Sequence, residues 1–310
     1  MTTTGAPVTG RGAPVGPGLA AGVAVPRRTR GRLVARRFVR RRSAVTGLVG
    51  VVALALLAVV GPMLLPWGHL DVDRDSFLSP PDGEHWWGTT QAGRDVLALT
   101  LQGLRTSMVV GLGVAVLQTA VAAVVGTVAA CYGGWVDRAA QWVIDLLLVV
   151  PSLILVAVVA GRPGGPGASA ATMVVVLAGL GWMLSARVVR SAVLAVTRLE
   201  YVAAARYMSV STPRLIARHI LPNISSLLVA DATLALAGAV LAETSLSYFG
   251  LGVQAPATSL GTLIAEGQRT AATFPWVFLG PAGALVLLLV LVALVGDGLR
   301  DALDPRSGRP

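Results

Sequence analysis

Three carboxylates of the 310-residue chain fall inside or at the ends of long apolar runs: Asp145, Asp231 and Glu243. An ionisable group in such a run points to a site, because taking its charge out of water is costly unless a partner or a pathway uses it. Asp145 stands near the end of its run, where water or Arg138 can satisfy it. Asp231 lies deeper; a hydrogen bond between helices and a place on a solute pathway are both open to it. Glu243 is near the far end of the same run, where it either packs against other polar groups or meets a solute or a docking protein. The histidines His69, His85 and His219 sit in different loops without ligand spacing, and Cys131 is the one cysteine, so a disulfide within the chain and a Cys-cluster metal site are excluded. No metal site is expected. All 25 basic residues are arginine. Without lysine there is neither a phosphate-binding P-loop nor a Schiff-base nucleophile. Any nucleotide hydrolysis that drives the protein therefore belongs to another chain. No bond chemistry and no bound cofactor are expected of this one.

The other candidate for chemistry is a basic stretch between two apolar runs, EYVAAARYMSVSTPRLIARHILPN, Glu200 to Asn223. Its Ala-rich first part favours helix. SVSTP interrupts it, with Ser211 or Thr212 able to cap a second helix and Pro213 suited to that helix's first turn. Arg214 and Arg218, four apart, share one face, and Ile216 and Ile220 another. Pro222 and Asn223 are expected to end the second helix. Such a helical pair can lie on anionic lipid or receive another protein, for which the small side chains of Ala203, Ala204 and Ala205 permit close approach.

These residues must be held by apolar elements. Hydrophobic residues make up 55% of the chain and charged residues 13%, about half the share usual in soluble domains. Six runs are long enough to cross a bilayer: about 44–65, 106–130, 142–160, 168–186, 225–241 and 276–295. Pro151 is expected to bend the third. An all-α integral membrane protein follows, with a disordered, Arg-rich tail over 1–43, a loop over 66–105, a five-helix core over 106–296 that includes the loop 187–223, and a C-terminal tail over 297–310. The segment through Ser43 carries ten arginines and no acid, and the loop 187–223 carries six against Glu200 alone. The loop 66–105 holds six acids and three arginines. Arginine excess marks the cytoplasmic side, which places both termini and the basic loop there and the acidic loop outside. The Arg27–Arg42 cluster then reads as an anchor beside the first span, and no nucleic-acid partner is expected. In the acidic loop, adjacent Arg94 and Asp95 form a local ion pair or cap, or meet a docking protein.

The basic stretch resembles the EAA loop of permease subunits in bacterial ABC importers. With the I-x-L-P end of that pattern set on His219, Leu221 and Pro222, its Glu falls on Ala203, its alanines on Ala204 and Ala205, and its Gly on Ser209. HWWGTTQAGRDVLA (85–98), YGGWVD (132–137), DLLLVVPSLIL (145–155) and LAETSLSYFGLGVQAP (241–256) are similar, in that order, to segments of the C-type subunit of dipeptide, oligopeptide and nickel importers. The resemblance implies a type I ABC importer permease fold with six transmembrane helices in the bacterial plasma membrane. It implies a coupling helix around Arg206, Pro213, Arg214 and Arg218 that docks on ATP-binding subunits. The implied partners are a homologous B-type permease, two cytoplasmic ATPases that use ATP, an extracytoplasmic solute-binding protein and the lipid bilayer. Peptide is the implied solute, with nickel or another metal chelate as the alternative. A membrane scaffold or sensor with a basic lipid- or protein-binding loop is the competing reading from the residues alone.

Overall fold

The computed structural model describes residues 30–151, 154, 156, 158, 169–254 and 257–303. Among them the secondary structure is helical, apart from one isolated bridge between Thr89 and Asp95. Helix α1 (Arg30–Arg40) corrects the expectation of a disordered tail through residue 43. Val34 and Phe38, four apart, are half-buried while Arg36, Arg37 and Arg40 are exposed, so an apolar stripe gives the segment a reason to fold. Arg41 then takes an extended conformation before α2 (Arg42–Leu64) and pairs with Asp301 near the end of the chain's last helix.

Among the described residues, five helical runs are long and apolar enough to cross a membrane: α2; α3 (Val96–Tyr132); α5 (Ala170–Thr197); the run Thr212–Tyr248, made of α7 (Thr212–Leu215), a π-helical turn (Ile216–Ile220) and α8 (Leu221–Tyr248); and α10 (Pro275–Leu303). Between them lie α4 (Gly134–Val149), α6 (Glu200–Tyr207) and α9 (Leu260–Gln268). The expected third span meets α4, which ends at Val149; the chain bends at Val150, just before Pro151, and is helical again at Ile154, Val156 and Val158. Val150 is extended, the conformation favoured before proline. Most of that span's remainder lies outside the described residues.

α3 is the central helix, packing against α5 along its length and against α8, α2, α9 and α10. Small residues set the closest approaches, as in membrane bundles generally. A Cβ on Gly126 of α3 would lie 2.6 Å from the Ala186 carbonyl of α5. α2 and α10 run against each other in the same way, Gly47 facing Leu294 and Val295. Large apolar side chains such as Leu56, Met63, Leu112, Val116, Leu279 and Val290 point outward, which suits helices whose solvent is lipid.

Candidate coupling loop and transmembrane groove

The insert between α5 and α8 is a folded unit. At the end of α6, the Ser209 N–H donates to the Arg206 carbonyl and the Val210 N–H to the Ala205 carbonyl. This pair of bonds needs a left-handed residue after the cap, and Ser209 supplies it with φ +56°. The position is the one that the resemblance assigns to glycine, and the backbone explains the assignment. Ser211 precedes α7 without a side-chain cap bond, and Pro213 lies in its first turn. Pro222 does not end the second helix as expected. The Leu221 N–H reaches five residues back to the Ile216 carbonyl, and this wider turn accommodates a proline that lacks an N–H and crowds the preceding turn. The insert therefore runs without a break into α8.

Val202, Ala205, Leu215 and Ile220 are buried against Val189 and Val193 of α5 and Ala130 of α3. The Asn223 amide donates to the Tyr201 hydroxyl at 2.5 Å, and the Tyr201 ring lies 6.3 Å from that of His219. Of the expected docking residues, Ala204, Arg206, Ser209, Pro213, Arg214 and Arg218 are exposed, Ala203, His219, Leu221 and Pro222 are half-buried, and Ala205 is buried in the insert's own core. Beside the arginines stand Tyr207 and Met208, 90% and 73% exposed. Both face outward at the end of α6, next to the turn at Ser209.

A groove of about 650 Å³ opens between α3, α5 and α8. Val114, Leu177, Leu184 and Leu234 wall it, and Asp231 lies in it. Asp231 Oδ1 accepts from the Ser185 hydroxyl at 2.8 Å and Oδ2 from the Thr119 hydroxyl at 3.3 Å, while Gln118 Nε2 donates to Ser185 at 3.2 Å. Glu243 is fully buried elsewhere on α8, accepting from Ser247 at 2.7 Å and from Ser259, the N-cap of α9, at 2.6 Å. It ties α9 to α8. Asp145 pairs with Arg187 of α5, whereas Arg138, the partner open to it from sequence, bonds the Gly134 carbonyl. Arg190 grips both oxygens of Asp137, a fork geometry that fixes α4 against α5.

The loop of residues 65–95 is shorter than expected because α3 begins at Val96. Asp95 caps it, accepting from the Ala98 N–H at 2.7 Å. Asp95 also meets His85, not Arg94: His85 Nδ1 lies 3.0 Å from Asp95 and Nε2 3.4 Å from Asp73. Sequence spacing did not reveal this group, since its members come from three turns of one loop. Burial by itself would lower the His85 pKa, but hydrogen bonds to Asp95 and Asp73 outweigh it and hold the imidazolium above its ordinary value. The Asp75 backbone amide and the Ser76 side chain, with His85, hold Asp73 below the usual carboxylate range. Thr89 is buried and donates to the Ser76 carbonyl, and Gly88 and Gly93 have φ of +71° and +69°. The GTTQAGRD pattern is thus the signature of a folded loop.

Comparison with known proteins agrees with this architecture. Residues 122–309 match the family model described as the inner membrane component of binding-protein-dependent transport systems. Residues 29–81 match the N-terminal transmembrane domain of oligopeptide transport permease C. The chain is 50% identical over 279 residues to the oligopeptide transport system permease protein OppC of Mycobacterium tuberculosis, covering 90% of this chain and 96% of that one. It is 34% identical to the protein of the same name in Bacillus subtilis, over 87% of this chain and 88% of the relative. Among solved structures, the MetNI methionine ABC transporter in inward-facing conformations shares the fold, with a TM-score of 0.53 at 20% identity, over 66% of this chain and 96% of that chain. Multi-pass helices, a structured insert leading directly into one of them, and these likenesses agree: the chain belongs to the family of inner membrane components of binding-protein-dependent transport systems.

Proposed function

We propose that this chain is one of two permease subunits of an ATP-driven peptide importer, and that Glu200–Asn223 is its contact with a cytoplasmic ATP-binding subunit. The observation that carries this reading is continuity: the insert passes through the π-helical turn into α8 without a break, and α8 carries Asp231 in the groove wall. A displacement of the insert is therefore a displacement of the groove. Peptide as solute follows from the relatives named oligopeptide permeases. A second permease closes the pathway, an extracytoplasmic binding protein delivers solute to the face bearing the 65–95 loop, and both termini lie with the insert in the cytoplasm. The test uses the complete importer in liposomes. The expected result is peptide-stimulated ATP hydrolysis and uptake, with Arg214→Glu combined with Arg218→Glu reducing both severalfold while the permease stays in the membrane. Unchanged ATPase binding and uptake in that double variant overturn the docking role.

A further inference from the structure

We infer that the groove beside Asp231 holds a primary ammonium, the free N-terminus of a peptide in transit, with Asp231 as its counter-charge. The inference rests on the peptide-permease reading and adds a chemical site to it.

The site lies in the middle of three spans. Asp231 is well inside α8, Ser185 near the middle of α5, and Thr119 inside α3. The groove they share is about 650 Å³, within the usual range for small-molecule sites. Asp231 is the one ionisable group among the described residues of its lining. Among the described residues no arginine or histidine pairs with it. The Ser185 and Thr119 hydroxyls give it one hydrogen bond each, and a carboxylate accepts about four.

Gln118 adds to the same bias. One of its two amide N–H bonds is committed to Ser185, which leaves one donor against the two lone pairs of its carbonyl oxygen. The polar equipment of the groove is therefore weighted toward acceptors. The natural complement is a group with donors only and a positive charge, which describes an ammonium with three N–H bonds. A carboxylate or phosphate would face the like charge of Asp231 there. The remaining wall is aliphatic and indifferent to polar detail. Such a site holds a peptide by the feature that all free peptides share and leaves the side chains unread.

An unpaired carboxylate at this depth is expensive to keep, and the two hydroxyls offset part of that cost without cancelling the charge. A solute ammonium completes the pairing while it is present and releases it on leaving. One competing occupant is a guanidinium from the second permease, reaching across the interface.

The experiment uses the whole importer in liposomes, with Cys131→Ala and Ala235→Cys in the groove wall as the reporter. Alkylation of the new thiol by N-ethylmaleimide is measured in the presence of alanyl-phenylalanine amide or its N-acetyl form. These probes differ at the amine alone, and the assay needs no delivery by a binding protein. The expected result is protection by the free amine at a concentration about tenfold lower than by the acetylated form, the scale of one charge-assisted hydrogen bond. Asp231→Asn brings the two within about twofold, and Asp231→Glu keeps the preference. Equal protection by both probes, no protection by either, or an unchanged preference in Asp231→Asn overturns the ammonium site. Loss of the partner permease from purified Asp231→Asn complexes also overturns it and assigns Asp231 to the interface. Peptide-stimulated ATP hydrolysis without the reporter is followed in parallel. Its absence defeats the peptide-permease reading, whereas its presence with a failed amine preference defeats the site alone.

Discussion

Ser209 and His85 show what single positions contribute. Ser209 holds φ +56° with a side chain attached, a conformation that disfavours L-residues by roughly 1–2 kcal/mol. Ser209→Gly is expected to leave thermal stability unchanged or raise it slightly, because relief of strain is partly cancelled by the greater freedom of glycine when unfolded. Ser209→Val is expected to cost about 1–3 kcal/mol, seen as a lower melting temperature in detergent. His85 makes the 65–95 loop sensitive to pH. Its pKa is raised in the folded loop, so its contribution is full below the ordinary value of 6.5 and is lost as pH rises through the folded value. Asp73 has the opposite sign: its pKa is lowered, so its contribution is present above 3.8 and lost as pH falls through the folded value. Amide exchange in residues 65–95 should be slowest between those limits, after correction for the intrinsic rate. It should speed up on the acid side as Asp73 is protonated and on the alkaline side as His85 loses its proton, and His85→Ala should remove the alkaline dependence. The HWWGTTQAGRD pattern was legible as a motif, but its reason was not, because Asp73 and Asp95 reach His85 only after the loop closes on itself.

At the scale of elements, helix contacts are set by what is missing from side chains as much as by what is present. Gly126 lets α3 approach α5 until a Cβ would press on the Ala186 carbonyl. Gly126→Val is expected to lower stability by about 1–3 kcal/mol or more. Gly283→Ala, in α10 where an added Cβ meets nothing within 4 Å, should be neutral or stabilising, given alanine's higher helix propensity. Thermal melts of the two variants in the same detergent check the contrast. Five of the long helices were readable from apolar length alone, because a span must bury an unbroken run. The ends of elements were not. Pro222 and Asn223 read as a stop but sit in a continuing helix, since a π-helical turn can absorb a proline that an ordinary turn cannot. Arg30–Arg40 read as part of a disordered tail because its arginines obscured the Val34 and Phe38 stripe.

For the whole molecule, the insert presents a mixed surface in which Tyr207 and Met208 stand exposed beside Arg206, Arg214 and Arg218. In the proposed assembly the aromatic and thioether side chains carry much of the contact with the ATP-binding subunit, since buried aromatic anchors dominate interfaces. Tyr207→Ala with Met208→Ala should weaken co-purification of that subunit about tenfold or more. It should not lower the melting temperature of the isolated permease, because both side chains are exposed. Retention of the ATPase at wild-type levels would remove these two residues from the contact. The absence of lysine, the apolar runs and the Arg-rich insert are properties of composition and order, and the sequence by itself determined them: a multi-span membrane chain that cannot itself bind nucleotide through a P-loop. Tertiary structure alone decided which polar groups meet. Ser185 and Thr119 reach Asp231 across 46 and 112 positions of sequence, and Arg187, not Arg138, answers Asp145. Helical periodicity fixes which residues share a face, but the rotation and depth at which two helices pack decide which faces touch, and that depends on every contact along both.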